Sequence, residues 1–410
     1  MQYTLSAPTR PLNGTIAVPA SKSISNRALI LAALSDGLDR LEGLADCDDT
    51  RAMIAALNSP DTHIDVGAAG TTMRFLTAFY ASRPGNILLT GSERMKNRPI
   101  HVLVNALRSL GAEINYLEKE GFPPLDIRGK FLQGGSVVVD GSVSSQYLSA
   151  LMMVAPGMQD GLRIQIAGSL ISRPYAEMTL RMMETFGVHA HMDEGMIQIP
   201  HQSYKASSYR IEGDWSAASY WYQLLSLAPQ GTLQLTGLYA DSLQGDAKIA
   251  HFFEALGVAT EFTQTGVRLT KTHAKGPVFT ANLVDQPDLA QTLAMTCALK
   301  GIPFNLSGLQ SLKIKETDRI AALIQEADKL GFEFIEHKET NALVWDGSTH
   351  PQAPSIRIET YEDHRMAMAF APAAMRFNAL QINHPEVVRK SYPAFWDHLQ
   401  RIGFTLNPQA

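Results

Sequence analysis

The chain has 410 residues, 45% of them hydrophobic, 18% charged and 8% aromatic. A globular chain of that length exceeds the ~250 to 300 residues at which a single core stops growing, so two domains are expected. The formal net charge of −5 argues against a general nucleic-acid binder, whose affinity comes from cations that neutralise phosphates, and confines any basic site to a local patch.

In chain order, the first eleven residues (MQYTLSAPTRP) lack a basic stretch followed by an apolar core, so no conventional signal peptide is expected. Residues 20–27 (ASKSISNR) open an apolar helical run over 28–34 and set Ser21, Ser23 and Ser25 beside Lys22 and Arg27. Free N–H groups, hydroxyls and two cations at a helix start suit a phosphate; a serine cap with two solvated charges is the plainer alternative. Residues 67–74 (GAAGTTMR) form a small-residue turn into a helix over 73–80. A ligand could approach that backbone closely, although an ordinary turn has the same pattern. Segment 93–99 (ERMKNRP) places Arg94, Lys96 and Arg98 in one loop, read either as an anion site or as a solvated charge run. Ser144, Ser145 and Gln146 begin an apolar helix, and Ser172, Arg173, Pro174 and Tyr175 form a matching entry further on; capping serines are again the alternative. His189, His191 and Asp193 alternate as on a strand, a spacing that metals use, but an exposed hairpin accounts for it better.

The longest charge-free run, 215–240, contains Ser216, Gln223, Pro229, Gln230 and Gly231, and reads as a buried helix, turn and strand rather than a membrane span. Asp288 stands at another helix entry. The densest polar segment, 313–319 (KIKETDR), runs into an apolar helix over 320–327. There Glu316 and Arg319, three apart, can face one side with Lys315; a capping box through Thr317 or an intrahelical ion pair is the alternative. His364 and Arg365 (YEDHRMAMAF) precede a further apolar helix, and Arg389 and Lys390 lie near the end. Runs 136–140 (SVVVD), 163–166 (RIQI), 232–235 (TLQL) and 355–358 (SIRI) read as strands, so the class is mixed α/β. Cys47 and Cys297 are far apart and outside any Cys-x-x-Cys spacing, which supports neither a disulfide framework nor a thiolate zinc site and fits a reducing cytoplasm. Phosphate-loop, dinucleotide, His-Glu-x-x-His and Gly-x-Ser-x-Gly patterns are absent from the sequence.

One phrase repeats: an amphipathic helix ending in Leu-Gly or a near equivalent, followed by strands. Its glycines are Gly111, Gly187, Gly257, Gly331 and Gly403, spaced 70 to 76 residues apart, each suited to the left-handed position after a helix. A degenerate sixth copy at 52–57 (AMIAAL) makes six units of roughly 68 residues, too long for a solenoid repeat. Three precede and three follow a boundary near 209–214 (YRIEGD), and the cleft between two such halves is the natural ligand site.

Taken together and in order, ASKSISNR, GAAGTTMR, ERMKNRP, SSQ, SRPY, KIKETDR and YEDHRMAM resemble the enolpyruvyl transferases, in the branch that acts on shikimate 3-phosphate, along essentially the whole chain. The resemblance implies an inside-out α/β barrel of two domains, each of three βαβαββ units with helices inside, covering 16–212 and 213–410 plus a crossing 1–15. It implies transfer of the carboxyvinyl group of phosphoenolpyruvate to the 5-hydroxyl of shikimate 3-phosphate, with no metal or organic cofactor, in a cytoplasmic monomer of the shikimate pathway that glyphosate targets. By the same resemblance, shikimate 3-phosphate is held by Lys22, Ser23, Arg27, Ser144, Ser145, Gln146, Ser172, Tyr175, Asp288, Ser311 and Lys315. Phosphoenolpyruvate is held by Lys22, Gly70, Arg98, Gln146, Arg319, Arg365 and Lys390. The implied catalytic groups are Glu316 as acid at the methylene carbon, Asp288 as base toward the hydroxyl, Lys22 assisting and His364 as a secondary proton carrier. Ala68, Phe75 and Ser311 depart from the family's usual Asn, Pro and Asn. The rival branch, acting on UDP-N-acetylglucosamine, carries a reactive cysteine in a loop that here spans 87–100 and has none. A catalytically silent phosphate-binding protein is disfavoured because Lys22, Asp288, Glu316, Arg319 and Arg365 are all present. No nucleic-acid or membrane partner is expected, since no aromatics interleave the basic loops.

Overall fold

Two kinds of helix alternate along the chain in the computed structural model, which describes residues 1–142, 144–193 and 195–409. The helices are α1 (Lys22–Leu34), α2 (Asp48–Asn58), α3 (Gly70–Ala81), α4 (Glu93–Lys96), α5 (His101–Ser109), α6 (Ser145–Val154), α7 (Arg173–Thr185), α8 (Trp215–Leu227), α9 (Ile249–Ala255), α10 (Ala290–Lys300), α11 (Arg319–Lys329), α12 (His364–Phe370) and α13 (Phe395–Arg401). Helices α1, α3, α6, α8, α10 and α12 are buried nearly all round, because their sequences are apolar on every face. Helices α2, α5, α7, α9, α11 and α13 bury one stripe and expose the rest. These last are the repeated phrases. Five of them end on a glycine in the left-handed region, Gly111, Gly187, Gly257, Gly331 and Gly403, with φ of +96, +80, +88, +87 and +107°, where a Cβ would be strained.

The chain divides into two compact units, Met1–Ala20 with Glu212–Ala410, and Ser21–Ile211. Five four-stranded sheets share one topology: a first strand parallel to a second, then two antiparallel neighbours. In the Ser21–Ile211 unit, His63–Asp65 pairs with Gly85–Thr90, and Gly135–Asp140 with Leu162–Ala167, both in parallel. A short parallel pair, Leu41–Glu42 with Tyr209–Arg210, is the third sheet of this unit. In the other unit the N-terminal strand Gln2–Ser6 lies between Leu380–Asn383 and Thr405–Gln409, with Leu5 opposite Leu380 and Leu406. Strand Leu12–Ala17 pairs in parallel with Gly231–Thr236. Strands alternate buried and exposed residues, as sheets do when one face covers a core and the other meets water. Each unit therefore encloses its apolar helices within amphipathic sheets and helices, and the start of every enclosed helix is a place where backbone N–H groups lack a helical partner.

Details depart from the sequence expectations in four places. Segment 93–99 is not simply a loop: Ser92 accepts a hydrogen bond from the Met95 N–H and caps α4. Only Arg357–Ile358 of 355–358 is a strand, because Pro354, which has no N–H, leads into a bend at Ser355. The cap of α11 is Asp318, whose carboxylate accepts from Ile320 and Ala321, rather than Thr317. His189 precedes the strand His191–Asp193 and lies 3.8 Å from Glu184. Among the described residues no group of three His, Cys, Asp or Glu is arranged to hold a metal.

Candidate active site

In the Ser21–Ile211 unit, the polar motifs fold onto the first turns of the enclosed helices. Ser21 caps α1, so Lys22 and Ser23 occupy its first turn, where the helix dipole and free N–H groups favour an anion. Lys22 pairs with Asp49 of α2 at 3.3 Å, and Asp49 is buried. Ser144 caps α6 by accepting from the Gln146 N–H. The Gln146 amide donates to Thr71 of α3 at 3.1 Å and so ties two helix starts together. Ser172, at φ +54°, leads into α7, and its carbonyl accepts from the Tyr175 N–H.

Arg27 is placed more deeply than the sequence implies. Its side chain is 1% exposed. Its Nε donates to Thr179 at 2.7 Å, Nη1 to the Ser23 carbonyl at 2.9 Å, and Nη2 to Ser149 at 2.9 Å and to the Tyr175 carbonyl at 3.4 Å. A guanidinium has five N–H donors, so most of its capacity goes to holding α1, α6 and α7 together. Burial lowers its pKa to about 10. The rings of Phe75 and Tyr175 lie 5.3 and 5.8 Å from its central carbon. Phe75 thus replaces the family's usual residue with a buried ring against the same guanidinium.

Gly70 is the first residue of α3, and the space above it is occupied. A Cβ built there would collide with the Arg98 guanidinium, its Cζ at 2.8 Å, and come within 2.9 Å of Arg74 Nη1. Only glycine lets the Arg98 fork lie against this helix start. Arg74 donates to the Gly70 carbonyl at 2.8 Å and to the Pro99 carbonyl at 3.4 Å, and Tyr147 donates to Pro99 at 2.6 Å, which fixes the segment that carries Arg98. Lys96 points elsewhere, paired with Glu93 at 3.1 Å and Glu118 at 2.9 Å.

In the other unit, charges from five separate segments converge. Asp288 sits in the single turn Pro287–Leu289 that leads into α10. Its carboxylate meets Arg319 at 2.8 Å, Arg365 at 2.9 Å and Lys315 at 3.6 Å. Burial alone would raise the Asp288 carboxyl, but Arg365, Lys315 and Arg319 together hold it well below the usual range. Glu316 bridges Arg319 at 2.8 Å and Lys390 at 3.2 Å. Arg319 is in turn clamped by Asp363 at 2.6 Å, and Asp363 also caps α12 by accepting from the Arg365 N–H at 2.9 Å. Burial would lower the Arg319 guanidinium, but its three carboxylates hold it above its ordinary value. Burial lowers the Lys315 ammonium despite Asp288. His364 begins α12 with its ring buried, 3.6 Å from Asp363. Ser311 is buried in the turn Gln310–Ile314, just before Lys315, and Arg389 is exposed beside Lys390.

Sequence reasoning missed the anions that hold these cations. Asp49 and Asp363 looked like ordinary helix-start carboxylates, and only their burial and partners distinguish them. Asp246 is 3% exposed, bonded on one oxygen to Ser216, with its other oxygen buried and without a hydrogen-bond partner. Burial, and then the charge of Asp288, pushes it up to about 7. Nothing in its local sequence, LQGDAK, signals this.

A protein-family model described as EPSP synthase (3-phosphoshikimate 1-carboxyvinyltransferase) matches residues 6–59 and 56–399. The chain is 52% identical over 405 residues to the 3-phosphoshikimate 1-carboxyvinyltransferase of Bacteroides fragilis strain NCTC 9343, with 98% of each chain covered. It is 37% identical over 426 residues to the protein of the same name from Serratia proteamaculans, covering 96% of this chain and 97% of that one. Among solved structures, an EPSP synthase from Acinetobacter baumannii aligns with a TM-score of 0.77 at 20% identity, covering 99% of this chain and 100% of that one; this supports the two-domain repeated α/β fold.

Proposed function

The chain belongs to the EPSP synthase family, and from that premise we infer that it moves the carboxyvinyl group of phosphoenolpyruvate to the 5-hydroxyl of shikimate 3-phosphate and releases phosphate. The observation that carries the reading is the Asp288, Glu316, Arg319, Arg365, Lys315 and Lys390 cluster. It supplies two carboxylates for proton transfer among cations that can take carboxylate and phosphate groups in forked pairs.

In this reading the acceptor hydroxyl oxygen bonds to C2 of phosphoenolpyruvate while its proton passes to Asp288, and Glu316 delivers a proton to C3. The product of addition is a tetrahedral ketal phosphate. Glu316 then removes a methyl proton as the bond to the phosphate oxygen breaks, which restores the double bond and releases phosphate. Lys22 assists at the hydroxyl and the departing phosphate, and His364 is a secondary carrier. Gly70, Arg98, Gln146, Arg319, Arg365 and Lys390 take phosphoenolpyruvate with Lys22. Ser23, Arg27, Ser144, Ser145, Ser172, Tyr175, Ser311 and Lys315 take shikimate 3-phosphate with Lys22, Gln146 and Asp288. For Arg27 the assignment rests on the N–H capacity that its four protein bonds leave. A cytoplasmic monomer without metal or organic cofactor completes the reading, and light scattering tests the monomer.

The rival sugar-nucleotide reaction is disfavoured because both cysteines, Cys47 and Cys297, are buried and outside 87–100. The deciding experiment is phosphate release from phosphoenolpyruvate with shikimate 3-phosphate, with UDP-N-acetylglucosamine, and with neither. Release only with the shikimate ester is expected. Release with the sugar nucleotide transfers the assignment to the rival reaction, and silence with both supports a phosphate-binding role.

A further inference from the structure

A cavity of about 600 Å³ lies in the Ser21–Ile211 unit at the opposite end of the helices whose starts carry Lys22 and Gly70. That volume is in the range of small-molecule sites. Its walls come from the last turns of α1, α2 and α3 and from the residues that follow each, down to the strand Gly85–Thr90. With α1 running 13 residues at about 1.5 Å each, the cavity is ~20 Å from Lys22.

Its electrostatics are uneven. Three helix C-termini meet here, each carrying negative partial charge, and none of the three helices has a lysine, arginine or histidine in its last turn. Two exposed carboxylates on the rim, Asp36 and Asp39, add to that field. Against it stands one cation, Arg83, spread over the Phe79 ring at 3.6 Å. The Arg83 Nε is buried and makes no hydrogen bond, and among the described residues its guanidinium has no ion pair closer than 4 Å. A buried guanidinium edge without an acceptor is an uncommon state that a ligand would relieve. Leu57 and Ile87 supply apolar wall.

We propose that this cavity binds a small zwitterion of the α-amino-acid type, its carboxylate on the Arg83 edge, its ammonium toward Asp36, Asp39 and the helix ends, and an apolar side chain against Phe79, Leu57 and Ile87. A simple anion would be repelled by the carboxylates and helix ends, and a simple cation by Arg83; a molecule carrying both charges satisfies both. The site is separate from the proposed catalytic residues and does not depend on their assignment.

Titration calorimetry on the full chain tests this, with L-phenylalanine and L-leucine as probes and phenylacetate and phenethylamine as half-molecules. At least one amino acid should bind one to one, at least about tenfold more tightly than either half-molecule, as expected for one charge-assisted bond. Arg83→Gln should weaken binding about tenfold or more, and Arg83→Lys, which keeps the charge but loses the fork, should recover only part of it. Saturating shikimate 3-phosphate and phosphoenolpyruvate should leave the affinity unchanged, which separates this cavity from the catalytic site. Thermal melts of both variants establish that they are folded. No binding at millimolar concentration, a half-molecule that matches the amino acids, equal affinity in a folded Arg83→Gln protein, or competition by the two substrates would each overturn the proposal.

Discussion

Replacing Asp246 by Asn isolates the electrostatic cost of a buried carboxylate. Asp246 lies near Asp288, Arg365 and Asp214, and burial followed by the Asp288 charge raises it from the usual 3.8 to about 7. A carboxyl with a raised folded-state pKa binds more protons in the native than in the unfolded chain between those two values, so stability falls as pH rises through that window. At 1.36 kcal/mol per pH unit, ionisation withdraws on the order of 4 kcal/mol by pH 8, of which ~3 kcal/mol is lost between pH 5 and pH 7. Asn preserves the shape and an oxygen for the Ser216 hydroxyl but cannot ionise. The assay is thermal unfolding of both proteins at pH 5 and pH 8, compared as the difference between them, so that every other titrating group cancels. The variant's advantage should be ~3 kcal/mol larger at pH 8, or about 5 to 10 °C in Tm for a unit of this size. An equal difference at the two pH values would refute the reasoning, because Asp246 would then be ionised, or neutral, at both.

Other substitutions separate binding from chemistry. Gly70→Ala should raise KM for phosphoenolpyruvate about tenfold or more and weaken glyphosate inhibition, with little change in Tm, because the added methyl meets the movable end of Arg98 rather than backbone; unchanged steady-state constants would sink this. Glu316→Gln should slow deuterium exchange into the phosphoenolpyruvate methylene by ~10²- to 10⁴-fold while calorimetry finds shikimate 3-phosphate binding within a few fold of wild type; full exchange would remove Glu316 from its role. Lys22→Ala should weaken both substrates, and the loss should be visible as higher dissociation constants for each; since it also leaves buried Asp49 without its cation, a fall of ~1–3 kcal/mol in stability should accompany it.

Much of the architecture was legible because its signals are local. A glycine after an amphipathic stripe marks a left-handed helix end whatever the tertiary surroundings, and all five such glycines adopt it. Serines before apolar runs marked the starts of α1 and α6, since capping needs only the next turn of backbone. The same locality explains a miss: attention to a Thr-x-x-acid pattern passed over Asp318, itself a good acceptor one residue before α11. The site's wiring was not legible. Residues 288, 316, 319, 363, 365 and 390 form one ionic network, yet their pairings depend on how three helix starts are packed, which no local spacing encodes. Arg27 shows the same limit: its charge and neighbours suggest a ligand cation, while its burial among Thr179, Ser149 and Tyr175 comes from residues more than a hundred positions away.

That network also bears on the order of events. As it stands, Asp288 is surrounded by Arg319, Arg365 and Lys315, which makes it a poor base, and Glu316 is held between Arg319 and Lys390. The cations are therefore already neutralised by protein carboxylates, and an incoming carboxylate or phosphate must compete for them. Every cation that turns to a substrate removes part of the attraction that depresses Asp288, leaving burial, which acts in the opposite direction, to raise its proton affinity. In the proposed reaction the groups that recognise the substrates thus also release the groups that move protons. A site arranged in this way keeps its acid–base pair inactive until anionic ligands have arrived, which couples selectivity for doubly charged substrates to the chemistry itself.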